Sequence, residues 1–320
     1  YSADTHWDLI TAVTGIDVGV ESADDVKAQA SCAFQSAWQY DFFWSTLIHR
    51  NDLGAVSTNK AHAEYAAGAV DWDDDVHQLY TDPEDVLNFD PWESLGPIDL
   101  TATTRRFEEH YKANTERHSF GVNMSGVYIT LISGFIELFG WDMLLLAAGV
   151  DPVRFGDLAN RYAAWMQQFY DALAEADLPC IMMHDDIVWS SGPIMRPAWY
   201  REYVFPNYKK YLDPVRESGK KIMFTSDGNF DEFIADIADT GVDGFVFEPL
   251  TSLETIVERY GQTHVIIGNA DTRVLLFGDR AEIRAEVERC MSIGRNCPGF
   301  FMAVGNHMPP NTPVENALYY

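Results

Sequence analysis

The stretch KIMFTSDGNFDEFIADIADTGVDGFVFE, residues 221–248, decides the fold class of this chain. It begins with an apolar run, KIMFT, passes through a polar turn into a segment with a helical pattern, and ends in a second apolar run, GFVF. Apolar runs without polar alternation are typical of parallel strands that are covered on both faces. The order of strand, helix and strand therefore predicts one unit of a parallel α/β fold.

The same rhythm continues on both sides of this unit. No linker or repeat divides the 320 residues, so we expect one α/β domain over 1–320, a (β/α)8 TIM barrel. Further apolar runs are PCIMMH (179–184), HVIIG (264–268) and GFFMAV (299–304). The earlier part predicts helices over 23–40, 101–117 and 151–176, a strand and the start of a helix within 119–132, and strands over 41–48 and 53–58.

Composition and charge exclude several classes of protein. Hydrophobic residues make up 47% of the chain, and no apolar stretch reaches about 18 residues, so we expect a large core without a membrane span or signal peptide. The chain has 49 acidic residues against 22 Lys and Arg, a net charge of −27, and only 71–75 (DWDDD) approaches an acidic run. This balance argues against nucleic acid or an anionic membrane surface as a partner.

The four cysteines contain no C-x-x-C pair, which favours a cytoplasmic protein without a cysteine-rich zinc site. Whether the chain forms a homodimer is left open by the sequence.

Polar residues follow five apolar runs directly, at the point where each predicted strand ends. Active sites of α/β barrels lie at these strand ends, so we predict a pocket there. Carboxylates placed so close together repel one another unless they are protonated, hydrogen-bonded or bridged by a cation. The candidate catalytic residues are Asp227, His184, Asp185, Asp186 and Asn229.

Two further sets are predicted at the same mouth. The candidate metal ligands are Asp227, Glu248, His307 and Asp271, because Asp, Glu and His together suit zinc and similar cations. Apolar and aromatic side chains interleave with these groups and would form a slot for a flat or methyl-bearing ligand. The candidate substrate-binding residues are Trp189, Phe224, Phe247, Met183, Asn269, Asn306 and Tyr128.

Each polar residue also has a structural interpretation. Asp227 or Asn229 would cap the helix that begins near residue 231, and Asp271 would cap the next helix. His184 after an apolar strand would be a core histidine with satisfied hydrogen bonds. The functional interpretation rests on the conjunction of these residues at one barrel face.

Several motifs occur in a fixed order over about 126–320: HDDI-x-x-x-x-G-x-I, P-x-W-Y-R-E-Y-V-x-P, SDGN, GNADTR-x-L-x-x-G and the closing NHMPPNTPVENALYY. In these motifs the sequence resembles the uroporphyrinogen decarboxylase superfamily, in its branch of corrinoid-dependent methyltransferases. Members share a (β/α)8 barrel, in agreement with the rhythm of the strands. They begin with a strand ahead of the region that 1–18 matches, so we expect the first barrel strand to be missing or trimmed.

The resemblance bears on the metal ligands. Thiol methyltransferases of the superfamily place zinc on a His-x-Cys pair and a later Cys, where this chain has Thr225-Ser226-Asp227 and Asn306. The O-demethylating members, which use oxygen and nitrogen ligands, are more similar. Their pattern acid-x14-acid-x20-His fits Asp271, Glu286 and His307, although the helical surroundings of Glu286 indicate a solvated face.

The resemblance implies transfer of a methyl group from a small methylated substrate, for which a methoxylated aromatic is the leading candidate. The acceptor would be the cobalt of a corrinoid (cobalamin) on a separate corrinoid protein, with zinc as the metal if one is bound. Two alternatives stay open: a decarboxylase or lyase acting on a smaller acid, and a non-catalytic barrel that binds a corrinoid or another ligand.

Overall fold

The computed structural model of the protein describes residues 6–58 and 79–320. It also describes the backbone of two short strands, β1 (Tyr65–Ala66) and β2 (Ala69–Val70), which pair antiparallel. The acidic run at 71–75 lies outside the described residues.

A parallel sheet of six strands forms the centre of the molecule. Its strands are β3 (Ser125–Val127), β4 (Cys180–His184), β7 (Lys221–Ser226), β8 (Gly244–Phe247), β9 (Val265–Ala270) and β10 (Phe300–Val304). They are hydrogen-bonded in the order β10-β9-β8-β7-β4-β3, and every pair is parallel. A short antiparallel hairpin, β5 (Val188–Trp189) and β6 (Gly192–Pro193), follows β4. The predicted parallel α/β architecture of TIM-barrel type is confirmed.

Helices connect the strands. They are α1 (Trp7–Thr14), α2 (Asp24–Ala37), α3 (Pro83–Leu87), α4 (Pro91–Leu95), α5 (Leu100–Arg117), α6 (Ile132–Val150), α7 (Pro152–Glu175), α8 (Pro197–Tyr203), α9 (Phe205–Glu217), α10 (Ile234–Asp239), α11 (Leu253–Tyr260), α12 (Thr272–Phe277), α13 (Arg280–Gly294) and α14 (Val314–Tyr319). Two 3-10 helices cover Arg50–Val56 and Asp231–Phe233.

Local sequence explains where the long helices begin. Asp151 caps α7 by accepting hydrogen bonds from the N–H groups of Val153 and Arg154, and Pro152 occupies the first helical position, where no N–H partner is needed. A capping box between Asp279 and Glu282 starts α13. The helices predicted over 23–40, 101–117 and 151–176 are confirmed as α2, α5 and α7.

The predicted strands at 41–48 and 53–58 differ from the structure. The segment 41–48 runs parallel to β3, but it pairs only through isolated bridges at Phe42 and Ile48. The segment 53–58 is not a strand, because most of it lies in the 3-10 helix Arg50–Val56. Gly54 within that helix has φ 60°, a conformation that interrupts an extended chain.

The two faces of the sheet carry different cores. Alternate side chains point to opposite faces of a strand. Along β7, Ile222 and Phe224 join the large core cluster formed with the surrounding helices, whereas Met223 joins a smaller cluster on the other face. The smaller cluster, with Met124 and Met182, lies on the face opposite the helical layer and forms the inside of the curved sheet.

α6 is the one described helix that is long and apolar enough to cross a membrane by length and composition. In the structure, 67% of its apolar window is buried inside the protein, as in the core helices of globular proteins.

The first and last helices of the described chain pack together. His6 caps α1 by accepting from the N–H of Leu9 at 3.2 Å, and its Nε2 donates to the carbonyl of Thr312 at 2.7 Å. Leu9 and Ala317 belong to one buried cluster at the side of β10. Next to that cluster, a groove of about 610 Å³ separates β10 from residues 38–42. Its lining also includes Ile267 of β9.

Candidate active site

Three carboxylates gather where β4, β7 and β8 end: Asp186, Asp227 and Glu248. Asn306, beyond the end of β10, uses Nδ2 to donate hydrogen bonds to Asp227 Oδ2 at 3.1 Å and Glu248 Oε1 at 2.8 Å. The N–H of Asp227 donates to Asp186 Oδ1 at 2.9 Å, and the N–H of Gly228 donates to Glu248 Oε2 at 2.9 Å. The ends of β4, β7, β8 and β10 therefore hold three acids in one hydrogen-bonded cluster.

Aromatic rings form a wall beside these acids. His184 Nε2 lies 3.3 Å from Asp186 Oδ1, and its Nδ1 donates to the carbonyl of Tyr128 at 2.8 Å. The rings of Tyr128 and His184 stack at 3.8 Å with an interplanar angle of 9°. His49 stacks on Tyr128 at 5.2 Å, and Trp44 lies edge-on to Tyr128 and His184 at 6.2 and 6.1 Å. The predicted residues Tyr128 and His184 thus lie in one cluster with the carboxylates.

The surroundings of Asp227 raise its pKa. Burial first, and then the neighbouring carboxylates of Asp186 and Glu248, raise the pKa of Asp227 from 3.8 to about 7. The hydrogen bond from Asn306 acts in the opposite direction. Burial would lower the pKa of His184, but the adjacent carboxylate of Asp186 outweighs it and raises the pKa. Asp227 therefore keeps a proton at a pH where an exposed aspartate has lost it.

Asp185, a predicted catalytic residue, points away from this cluster. Its carboxylate accepts hydrogen bonds from the N–H groups of Ile132 and Ser133, at the start of α6, and from the hydroxyl of Tyr208. The prediction is corrected because successive side chains of a strand alternate in direction, so Asp185 faces the helices while His184 and Asp186 face the site. Ser133 Oγ in turn accepts from the N–H of Asp186 at 2.8 Å, so the helix start also positions Asp186.

The loop after β7 has a geometry that only glycine permits at one position. Gly228 has φ 85°, and a Cβ added there would lie 2.8 Å from the carbonyl oxygen of Trp189. Asn229 donates from its N–H to the same carbonyl at 3.0 Å, and its Oδ1 accepts from the N–H of Asp231. Asn229 therefore shapes the turn before the 3-10 helix Asp231–Phe233, whose N-cap position is Phe230 rather than Asn229. The catalytic role of Asn229 stays a prediction.

Several predicted substrate-binding residues lie elsewhere. Met183, Phe224 and Phe247 are fully buried in the large cluster between sheet and helices, so their predicted contact with substrate is corrected. They occupy the strand positions that alternate with the inward-facing methionines. Trp189 is 45% exposed and packs on Trp141 at 5.8 Å.

Asn269 is buried, and its side-chain amide is hydrogen-bonded to other parts of the protein. Its Nδ2 donates to the carbonyl of Thr251 at 3.0 Å, and its Oδ1 accepts from Arg289 at 3.0 Å. The second Nδ2 hydrogen is directed to the carbonyl of Glu248 at 3.4 Å, and the residue is 1% exposed, so Asn269 ties the loop after β8 to α13. The predicted role of Asn269 in substrate binding is corrected on this ground.

The predicted metal ligands do not form one site. Among residues 6–58 and 79–320, no group of three or more His, Cys, Asp or Glu side chains is arranged to hold a metal ion. Asp227 and Glu248 share Asn306, but His307 is exposed. Asp271 caps α12 and pairs with Arg273 at 2.6 Å. The prediction is corrected because Asp271 is already paired with Arg273 and His307 lies at the surface.

The residues of the acid-x14-acid-x20-His pattern, Asp271, Glu286 and His307, do not form a metal site among the described residues either. Glu286 is not on a solvated face: it accepts from the N–H of Asp271 at 2.8 Å and pairs with Arg289 at 2.7 Å. Burial would raise the pKa of Glu286, but the hydrogen bond from Arg289 lowers it. Asp271 and Glu286 are therefore joined to each other and to two arginines, as in a structural ion-pair network.

Three residues of the site were not predicted from the sequence: Trp44, His49 and Ser133. Trp44 and His49 belong to or directly follow the segment 41–48, whose pairing to β3 is too irregular to give a strong strand pattern. Ser133 lies inside a helix with a buried, apolar first turn. The sequence signal that could have found Trp44 is the aromatic run DFFWSTLI (41–48), which lies beside β3.

Comparison with known proteins gives a family match and a structural match. Residues 143–319 match the family described as uroporphyrinogen decarboxylase (URO-D). Curated proteins with that description include those of Salinispora tropica, 28% identical over 165 residues (52% of this chain, 43% of the relative), and Carboxydothermus hydrogenoformans, 25% identical over 201 residues (62% and 56%). The chain spans about half the length of the curated relatives it matches.

Among solved structures, a methyltransferase from Methanosarcina mazei superposes with a TM-score of 0.63 at 17% sequence identity. The match covers 97% of this chain and 88% of the other. At this identity the likeness concerns the fold.

Proposed function

Because the chain belongs to the uroporphyrinogen decarboxylase family, we propose that it is an enzyme of this superfamily that transfers a methyl group. The donor is a small methylated compound with a methyl–oxygen bond, for which a methoxylated aromatic fits best. The acceptor is the cobalt of a corrinoid carried by a separate protein. The observation that carries the proposal is the hydrogen-bonded cluster of Asp186, Asp227 and Glu248, in which burial and the neighbouring carboxylates raise the pKa of Asp227 to about 7.

An ether oxygen leaves poorly as an anion, so a proton delivered to it lowers the barrier to breaking the methyl–oxygen bond. Asp227 can supply that proton, because its pKa of about 7 keeps a large fraction protonated near neutral pH. Asp186 and Glu248 accept hydrogen bonds from backbone N–H groups, which fixes them as the neighbours that raise this pKa. The methyl group passes to the corrinoid, the oxygen receives the proton, and Asp227 becomes a carboxylate.

Aromatic and thioether groups near the acids support a flat, methyl-bearing substrate. Tyr128, His184 and Trp44 form the ring wall, and Met124 and Met182 face the inside of the sheet. Polarisable side chains of this kind pack well against aromatic ligands. The proton transfer described here uses Asp227 and requires no zinc ligand set, and no group of three or more His, Cys, Asp or Glu side chains in the described part of the chain is arranged to hold a metal ion.

A second candidate, decarboxylation, is favoured by the description of the curated relatives. Asp227 could then protonate the carbon that loses carbon dioxide. A substrate with many carboxylates would need free cationic side chains, yet Arg273 and Arg289 are paired with Asp271 and Glu286. This pairing favours methyl transfer over decarboxylation of a polyanionic substrate.

The deciding experiment incubates the protein with cob(I)alamin and a panel of methoxylated aromatics, and follows the absorbance of methylcobalamin. We expect its formation with at least one donor. A parallel incubation with uroporphyrinogen, without corrinoid, measures carbon dioxide. Carbon dioxide release without methylcobalamin would replace our proposal by decarboxylation, and tight ligand binding without either product would indicate a binding protein.

A further inference from the structure

Trp44 occupies a fixed place in an irregular segment. Its neighbour Phe43 donates from the backbone to Val122 O at 2.9 Å, and Leu47 donates to Gly126 O at 2.8 Å. The backbone is therefore tied to the chain beside β3 on both sides of Trp44.

The indole N–H of Trp44 is buried and has no hydrogen-bond acceptor among the described residues. Other buried tryptophans differ in this respect. Trp165 Nε1 donates to the carbonyl of Gly96 at 2.7 Å, and Trp199 Nε1 donates to that of Pro152 at 2.9 Å. Buried N–H groups almost always have a partner, so an exception calls for a specific reason.

The surroundings of Trp44 point to a ligand as that reason. Its ring lies edge-on to Tyr128 and His184, the two rings next to the carboxylate cluster. It also packs on the inward-facing cluster that contains Met124 and Met182. The unused donor thus lies between an aromatic wall and an apolar, polarisable floor, an environment that suits a flat molecule with one acceptor atom.

We propose that Trp44 is a substrate-binding residue whose indole N–H donates a hydrogen bond to an oxygen of a flat aromatic ligand. This inference rests on the proposed function for the location of the substrate. It adds Trp44 to the binding residues, and it requires that the ligand be an aromatic ring that carries an oxygen acceptor. Trp44 selects the ligand and takes no part in proton transfer.

The test measures binding in the absence of any corrinoid, with two probes of nearly equal shape: methoxybenzene, which has an ether oxygen, and ethylbenzene, which has a methylene in its place. Dissociation constants are measured by ligand-observed NMR for the wild type and for Trp44→Phe, which keeps an aromatic ring and removes the N–H. The matched control is Trp92→Phe, at an exposed position on α4.

We expect the wild type and Trp92→Phe to bind methoxybenzene roughly 3- to 10-fold more tightly than ethylbenzene, the range for one neutral hydrogen bond. Trp44→Phe should lose this preference and bind ethylbenzene as before. Equal binding of methoxybenzene by wild type and Trp44→Phe, or failure of the wild type to bind either probe, overturns the inference. Urea unfolding of each variant verifies that it is folded.

The result is separable from the proposed reaction. Loss of the ether preference in Trp44→Phe would support the binding role even if no methylcobalamin forms in the catalytic assay. Conversely, methyl transfer with unchanged binding by Trp44→Phe would overturn this role and leave the proposed function in place.

Discussion

At the scale of single residues, the surroundings of Asp227 disfavour its charged form and so lower the stability of the folded state at neutral pH. Its folded pKa, about 7, lies above the ordinary value of 3.8, so between these values the folded state binds more protons than the unfolded state. The free energy of unfolding therefore decreases as the pH rises from about 4 through 7. Such a cost is common where a group is tuned for proton transfer.

The same pKa sets the pH dependence of the proposed reaction. If Asp227 donates a proton, turnover should be constant below about pH 6 and should fall about tenfold per pH unit above pH 8, as the protonated fraction falls. The measurement is kcat for methyl transfer from pH 5 to 9 at saturating donor. A rate that rises across this range would exclude Asp227 as the acid.

Asp227→Asn separates the chemical role of this residue from its stability cost. We expect turnover to fall by roughly 100-fold or more, the usual value of a general acid. At pH 8 the free energy of unfolding should increase, on the order of 1.4 kcal/mol per unit of pKa shift that is relieved. Urea denaturation at pH 5 and pH 8 gives this difference. A folded variant with full activity would remove Asp227 from the mechanism.

Asn306→Ala tests how the cluster sets the pKa of Asp227. The amide of Asn306 donates to Asp227 and Glu248, so its loss should raise the pKa of Asp227 further. We expect the descending limb of the pH–rate profile to move up by about 0.5 to 1 unit. Asn316→Ala, which removes an amide bonded to the carbonyls of Leu275 and Gly278, should leave the limb unchanged. A downward shift would contradict the assignment.

Residue type and position predicted which polar groups meet, but not which side of a strand they use. Asp186, Asp227, Glu248 and Asn306 were predicted at the mouth, and the structure brings them together. Asp185 was misassigned because the loop after β4 keeps the alternation of the strand, which a run of three polar residues does not reveal.

At the scale of elements, the start of α6 depends on a residue from another strand. Leu131 at its N-cap provides no side-chain hydrogen bond, and Asp185 accepts from the free N–H groups instead. A carboxylate at this place also interacts favourably with the helix dipole. The hydrogen bonds at the start of α6 therefore depend on the residue that follows β4.

Asp185→Ala should lower the free energy of unfolding by about 3 kcal/mol or more, because two buried N–H groups and the hydroxyl of Tyr208 lose their acceptor. Tyr208→Phe, which removes one donor, should cost about 1.5 to 3 kcal/mol. Asp213→Asn, an exposed acid on α9, should change stability by less than about 1 kcal/mol. Urea denaturation measures all three. Full stability of Asp185→Ala would contradict the anchoring role.

Elements with uninterrupted apolar runs were predicted well, and irregular ones were not. The five runs correspond to β4, β7, β8, β9 and β10, since a parallel strand covered on both faces leaves a clear pattern. The segments 41–48 and 53–58 carry aromatic and small residues whose conformation depends on distant partners. Sequence patterns of local origin do not contain that information.

At the scale of the whole molecule, α1 and α14 join the two ends of the described chain. His6→Ala removes the cap of α1 and the hydrogen bond to Thr312, so we expect a loss of about 2 kcal/mol in the free energy of unfolding. Hydrogen exchange should accelerate most in α1 and α14. The exposed neighbour Asp8, changed to Asn, serves as the control. Uniform acceleration over all helices would argue against a local role of this contact.

The packing of α1 on α14 has a consequence for synthesis on the ribosome. The buried cluster of Leu9 and Ile10 contains the nearby residues Ala30 and Phe34, but it also contains Val304 and Ala317, about 300 residues later in the chain. During translation these apolar side chains lack the distant members of the cluster until nearly all of the described chain has emerged. Contacts of such sequence separation form late, because loop closure precedes any gain from packing. Part of this apolar cluster therefore stays exposed until β10 and α14 have been made, and exposed apolar surface of this kind is prone to aggregation.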